Sequence, residues 1–329
     1  MRPRDLAVIA AVLLVGAFAI ADAVRGNHHE PARIGPSDTK ATTTPNPVQG
    51  VPEPPQGLPA SGTVVFTDGE TCSLREFDVA SGTELPHRGR IRTNCFFTAP
   101  ILSGRVAIGL GGVSAIRPFQ LMNLLAPKRD LGRHRALLGT IEWASDGQTV
   151  SWCTTATRGF LTSFEAPPTR VPGCPAAFTA DDEPVFVRKH SLVIAGRAVA
   201  HGTTPIEWVS APPNAPWIVI IRGNVAERWS GDRRLGRTVL PGWIRRARPT
   251  ISTNGCEIGA RRGLAVFVLP LDCSREPPRS YPGREIAWSP DNHWVAVAAR
   301  HSIDFYHEDD LGPLARWRLV ASHLAWVAE

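Results

Sequence analysis

The stretch Ile141-Glu142-Trp143-Ala144-Ser145-Asp146-Gly147-Gln148-Thr149-Val150 decides the fold, because it recurs as Ile286-Ala287-Trp288-Ser289-Pro290-Asp291-Asn292-His293-Trp294-Val295. Two further copies are Phe178-Thr179-Ala180-Asp181-Asp182-Glu183-Pro184-Val185 and Ile251-Ser252-Thr253-Asn254-Gly255-Cys256-Glu257-Ile258. Each reads as an apolar or aromatic position, two residues, an Asp or Asn, a turn-tolerant residue, two more, then a β-branched or apolar one. The physics is that of a hairpin. A short apolar strand ends in Asp-Gly, Asp-Asn, Asp-Asp or Asn-Gly, residues that accept positive φ or bond their own backbone, and a second strand follows. Alternation along these strands is blurred, as expected for strands buried on both faces.

Looser copies lie at Ile206-Glu207-Trp208, which takes a longer turn through Pro212-Pro213-Asn214, and at Pro100 with Ser103-Gly104. A last fragment, Leu324-Ala325-Trp326, lies close to Glu329. The markers 100, 143, 178, 208, 251, 288 and 326 are spaced by 43, 35, 30, 43, 37 and 38 residues. A period of about 40 residues with four short strands per unit predicts an all-β, seven-bladed β-propeller, or a six-bladed one if the short unit between 178 and 208 is not a full blade. Segments 63–67 and 74–79 read as second and third strands without a first, and 324–328 as a first strand without the rest. The ring is therefore expected to close through its C-terminal strand, which removes open sheet edges.

The unit Ala287-Trp288-Ser289-Pro290-Asp291-Asn292, followed by Val295-Ala296-Val297, resembles the WD40-like repeat of TolB-type propellers. Val64-Val65-Phe66-Thr67-Asp68 with Phe77-Asp78-Val79-Ala80-Ser81-Gly82 fits the same pattern. The likeness covers most of residues 61–329 and implies the propeller fold. Such repeats are poor guides to function, since the group includes envelope binding proteins and peptidase propeller domains.

Ahead of the repeats, Arg2 and Arg4 precede an uncharged apolar run over residues 6–21. With one Asp tolerated near the interface, this predicts a transmembrane anchor over 1–25, its N-terminus cytoplasmic and the remainder outside. Ala21-Asp22-Ala23 also fits a signal-peptide cleavage site, which would make the chain secreted. Residues 26–60 hold eight prolines and Thr42-Thr43-Thr44, the composition of a semi-extended linker, and 61–329 form the propeller domain.

Cys72, Cys95, Cys153, Cys174, Cys256 and Cys273 fall into local couples 23, 21 and 17 residues apart without CxxC spacing. Disulfides are expected on the oxidising side of the membrane, paired in sequence, each within one repeat. The formal net charge is +6. Without a nucleic-acid motif it predicts an Arg-rich surface and no nucleic-acid partner, while leaving open an acidic cell-wall polymer.

No GxSxG, HExxH or dinucleotide fingerprint occurs. Gly111-Gly112-Val113-Ser114-Ala115 lacks the final glycine of a nucleophile elbow, and Glu308-Asp309-Asp310 lacks EF-hand spacing. Asp146, Asp181 and Asp291 are read as turn residues. Trp143, Trp208, Trp288 and Trp326 are read as inner-strand packing residues, with sugar stacking as the sharper alternative. His190, His201, His293, His301, His307 and His323 are candidates to converge at a channel mouth. No catalytic, cofactor-binding or metal-binding residue is assigned and no cofactor is expected. The expected role is a non-catalytic extracytoplasmic module that binds an envelope protein partner. The alternatives are a hydrolase or lyase at the central channel and a binder of acidic polymer.

Overall fold

The computed structural model describes residues 55–85, 95–99, 105–110, 116–123, 130–163, 166–308, 310 and 312–328. The expected membrane anchor, most of the linker, the marker Pro100 with Ser103-Gly104, and Gly111 to Ala115 lie outside them. Among the described residues no helix is long and apolar enough to cross a membrane.

Seven sheets follow one another along the chain. Strands β1 (Thr63–Asp68) and β2 (Leu74–Asp78) belong to the first blade. The second is β3 (Phe97–Thr98), β4 (Arg105–Gly109), β5 (Ile116–Asn123) and β6 (Asp130–Leu137). The third is β7 (Glu142–Trp143), β8 (Thr149–Thr155), β9 (Arg158–Ser163) and β10 (Thr169–Pro172). The fourth is β11 (Pro175–Phe178), β12 (Pro184–Arg188), β13 (Ser191–Ile194) and β14 (Arg197–Val199), so the short unit is a full blade and the six-bladed alternative falls. Its strands fit in so few residues because two-residue turns join β12 to β13 and β13 to β14, with Lys189, Ala195 and Gly196 at positive φ.

The fifth blade is β15 (Trp208–Ser210), β16 (Ile218–Arg222), β17 (Val225–Ser230) and β18 (Arg233–Val239). The sixth is β19 (Thr250–Ile251), β20 (Glu257–Arg262), β21 (Ala265–Pro270) and β22 (Arg279–Pro282). The seventh is β23 (Glu285–Trp288), β24 (Trp294–Ala298), β25 (Ile303–His307) and β26 (Ala315–Trp317). The last strand, β27 (Ala321–Val327), returns to the first blade and pairs antiparallel with β1, with Val64 opposite Trp326. The predicted closure is observed.

Apolar layers lie between successive blades. Val64, Phe66, Phe77 and Trp326 of the first blade meet Ala296, Phe305 and Trp317 of the seventh. Val219 and Ile221 meet Ile258 and Ala260 between the fifth and sixth. Strands β16 and β24 are buried at every position, the cause of the blurred alternation.

Every strand in a blade runs antiparallel to the next, so the loops sort into two faces. First-to-second and third-to-fourth turns share one, the turn face. Second-to-third turns and the connectors between blades share the other, the connector face.

The cysteines pair as Cys72–Cys95, Cys153–Cys174 and Cys256–Cys273. The sequential pairing holds, but containment within one blade holds only for the third. Cys72 lies in the β1–β2 turn and Cys95 just before β3, so that bridge joins the first blade to the approach of the second. Cys153 on β8 reaches Cys174 in the connector to the fourth blade. Cys256 and Cys273 flank the β20–β21 hairpin on the turn face. Removing a bridge frees a loop of about 20 residues, worth about 3 kcal/mol of denatured-chain entropy. C153S/C174S is therefore expected to lower the urea midpoint by the equivalent of 2–4 kcal/mol, roughly. An unchanged midpoint would show that this bridge adds nothing to stability.

Candidate functional site

The first strands of the blades surround a central channel, and two cavities occupy it. One of about 830 Å³ opens at the connector face and is lined by Gly139, Glu142, Arg188, Glu207, Trp208, Arg245 and Arg248, with Cys174 in its wall. A second of about 380 Å³ lies toward the turn face against Phe96, Thr98, Trp143, Phe178 and Pro212. Gly139 and Glu142 line both, so they mark where the two meet.

Glu142 and Glu207 occupy equivalent positions in two copies of Ile-Glu-Trp, where other first strands carry Ala177, Ala287 or Ala325. The packing explains the shared position. Ile141 is buried between blades and Ile206 nearly so, while the next residue turns toward the channel. Glu142 is half-buried in the cavity wall, no side chain of the described residues bonds it, and burial lifts its carboxyl to about 8. Desolvation without a compensating cation produces that shift. It leaves a neutral acid in the channel at pH 7. Glu207 instead accepts from Arg245 Nη2 at 2.8 Å and Nε at 3.4 Å. Sequence reasoning missed both glutamates. The available signal was a charged residue at an inner-strand position that is uncharged in the other copies.

Arg245 and Arg248 come from the connector between the fifth and sixth blades, where a 3-10 turn (Gly242–Arg246) is pinned by buried Ile244. Arg188 ends β12. Arg248 crosses the mouth: its Nη1 lies 3.9 Å from the place a β-carbon on Gly139 would take, three blades round the ring.

The residues singled out from sequence sit elsewhere or serve packing. Trp288 and Trp326 are buried, and Trp326 Nε1 donates to the Ser61 carbonyl at 3.0 Å. Trp143 and Trp208 are half-buried and border different cavities. Asp146 and Asp291 accept from backbone two residues on, Gln148 N and His293 N. In the fourth blade Asp182, at positive φ, carries the contact in place of Asp181, accepting from Ser145 N and Oγ of the neighbouring blade. The turns thus fasten blades to one another. Asn214 donates to the Pro290 carbonyl at 2.8 Å, bridging the fifth and seventh blades on the turn face.

The histidines do not converge. His293 and His307 stack on the turn face of the seventh blade beside Glu308 and Asp310. His201 and His301 are exposed. His323 alone of the six lies on a first strand, paired with Glu285 at 3.1 Å. Among the described residues no group of three or more His, Cys, Asp or Glu is placed to hold a metal.

These features define a closed seven-bladed β-propeller with a cationic recess at one mouth of its channel. No protein-family model matches the sequence, and no curated protein matches it. Among solved structures, a functionally unknown protein from Desulfotomaculum acetoxidans aligns with a TM-score of 0.55 at 10% identity, covering 82% of this chain and 99% of that one. TolB from Acinetobacter baumannii aligns with a TM-score of 0.45 at 14% identity, covering 82% and 67%. The first likeness shows the fold alone.

Proposed function

We propose that this chain is an extracytoplasmic binding module, tethered by its N-terminal segment, that meets an acidic envelope protein through its connector face. The observation that carries this is the separation of charge between the two faces. The described connector-face loops hold Lys189, Arg245, Arg246, Arg248, Arg284, Arg300 and Arg318 against Glu70 and Glu207. The described turn-face loops hold Asp146, Asp181, Asp182, Glu183, Asp232, Asp272, Glu276, Asp291, Glu308 and Asp310 against Arg275. A field polarised across a rigid disc steers an acidic partner to one side and repels it from the other. Three disulfides support an oxidising location.

The test is site-specific photocrosslinking in the cells that make the protein, with the crosslinker at Arg246 or at Asp232. An acidic envelope protein captured from Arg246, lost as ionic strength rises, is the expected result. Capture only from Asp232, or none from Arg246, overturns the reading. Capture of glycan from Arg246 would replace the protein partner with an acidic polymer.

A second reading, a hydrolase or lyase, is favoured by one observation. A neutral acid, Glu142, and an ion-paired carboxylate, Glu207, line the same cavity, a pairing suited to acid–base work. Turnover of a glycoside or ester abolished by E142Q would establish it.

A further inference from the structure

We propose that the channel mouth on the connector face binds the anionic group of its ligand, a carboxylate or a phosphate, between Arg188, Arg245 and Arg248. This deepens the reading above and rests on it: the basic face draws an acidic partner in, and the recess holds one of its anionic groups.

Arg188, Arg245 and Arg248, exposed residues from two parts of the ring, border one cavity of about 830 Å³, a size that takes a small molecule or the end of a chain. Arg188 and Arg248 make no side-chain bond among the described residues, so their donors are open to a ligand. Guanidinium is the side chain best matched to carboxylate and phosphate oxygens, two donors to two acceptors. Arg245 is held in the wall by Glu207, which fixes its direction while leaving donors over. Glu207 is thus a positioning residue. It offsets one of the three cations, so the recess keeps two net positive charges while Glu142 is uncharged and one when Glu142 ionises.

Glu142 makes the site sensitive to pH. The charged groups that share the cavity with it are Arg188, Glu207, Arg245 and Arg248, none close enough to offset its burial, and the strands packed against β7, namely β8 and β11, carry no titrating residue. Its carboxyl titrates at about 8 because it is buried. Below that pH the recess holds a neutral acid that can donate to an anion. Above it a carboxylate appears beside the bound group and repels it. Anion affinity is expected to fall through pH 8, by up to about tenfold per pH unit, and to stay flat in E142Q.

The test is calorimetric titration of the full chain in non-ionic detergent with inorganic phosphate, citrate and uncharged glucose. One phosphate or citrate per chain is expected, with no heat from glucose. R248A is expected to weaken binding by about ten- to hundredfold, the loss of a charge-assisted hydrogen bond. R275A, on the opposite face, serves as the unchanged control. The ratio of phosphate to citrate affinity separates the two sources of the anionic group. Equal losses in R248A and R246A would mark diffuse attraction to the face and overturn the channel site. So would the absence of saturable binding by either anion. In both cases capture from Arg246 in cells would still stand or fall by itself, so failure of the recess and failure of the face are told apart.

Discussion

A chain ending at Val320 is expected not to reach a cooperatively folded state. Its missing segment, β27, supplies the first strand of the first blade, paired with β1 from Thr63 opposite Val327 to Asp68 opposite Ala321. Without it β1 becomes an exposed edge, and the layer between the seventh and first blades loses Trp326, which is 1% exposed and packs edge-on to Phe305 at 5.7 Å. Truncating one such tryptophan costs about 3–5 kcal/mol. Losing Val327, the ladder bonds and ring closure as well removes stability comparable to the whole of an ordinary domain, about 5–15 kcal/mol. Near-UV circular dichroism through a thermal ramp would report this as a lost or broadened transition. W326A, milder, should keep a cooperative transition at lower temperature. A truncated chain melting within a few degrees of the parent would show that β27 does not hold the ring.

R222A is expected to cost about 3–5 kcal/mol, the penalty for removing one partner of a buried ion pair together with its bonds to buried carbonyls. Arg222 sits at the end of β16, 6% exposed, with Nε 3.3 Å from Glu227 Oε2. Its remaining donors serve the carbonyls of His190 at 3.1 Å, Thr204 at 2.7 Å and Ala200. One guanidinium therefore fastens the connector from the fourth blade to the fifth. Gly202 makes room for it, since a β-carbon there would lie 3.0 Å from the guanidinium carbon. Removal leaves Glu227 with Arg234 at 3.4 Å and Trp229 Nε1 at 3.0 Å, and leaves the Thr204 and Ala200 carbonyls unmet, while the His190 carbonyl keeps the Gly202 N–H at 3.1 Å. The midpoint of thermal unfolding should fall by about 10 °C for a domain of this size. R234A, whose side chain is 52% exposed, should cost no more than about 1 kcal/mol. Adding E227Q to R222A should recover part of the loss. A fall below about 1 kcal/mol in R222A would show that the buried pair and the connector bonds are dispensable.

The repeat and the closure were legible in order along the chain, and the blade count to within one, since only the structure made the short unit between 178 and 208 a full blade. Asp-Gly, Asp-Asn and Asn-Gly pairs fix where a strand must turn, whatever surrounds them, and the runs at 63–67 and 324–328 lacked the partners a complete blade requires. The cysteines gave the pairing by proximity. They did not show that two bridges reach into the connectors beyond their own blade, since a cysteine's direction depends on which face its strand end meets.

The candidate site was legible only in one residue type out of place. Glu142 and Glu207 stand in a motif whose other copies carry an uncharged residue there, alanine in three of them, yet the motif does not say that its middle position faces a channel. Nor does any spacing place Arg248, three blades away, over Gly139. Linear order and local turn chemistry determined the propeller, because each hairpin is specified by residues a few positions apart. That Arg188, Arg245, Arg248, Glu142 and Glu207 border one cavity, that burial raises the Glu142 carboxyl, and that the described loops of the two faces differ in charge were decided by tertiary structure alone. They depend on how a closed ring sorts distant loops to one side or the other, and on the burial that only the assembled blades create.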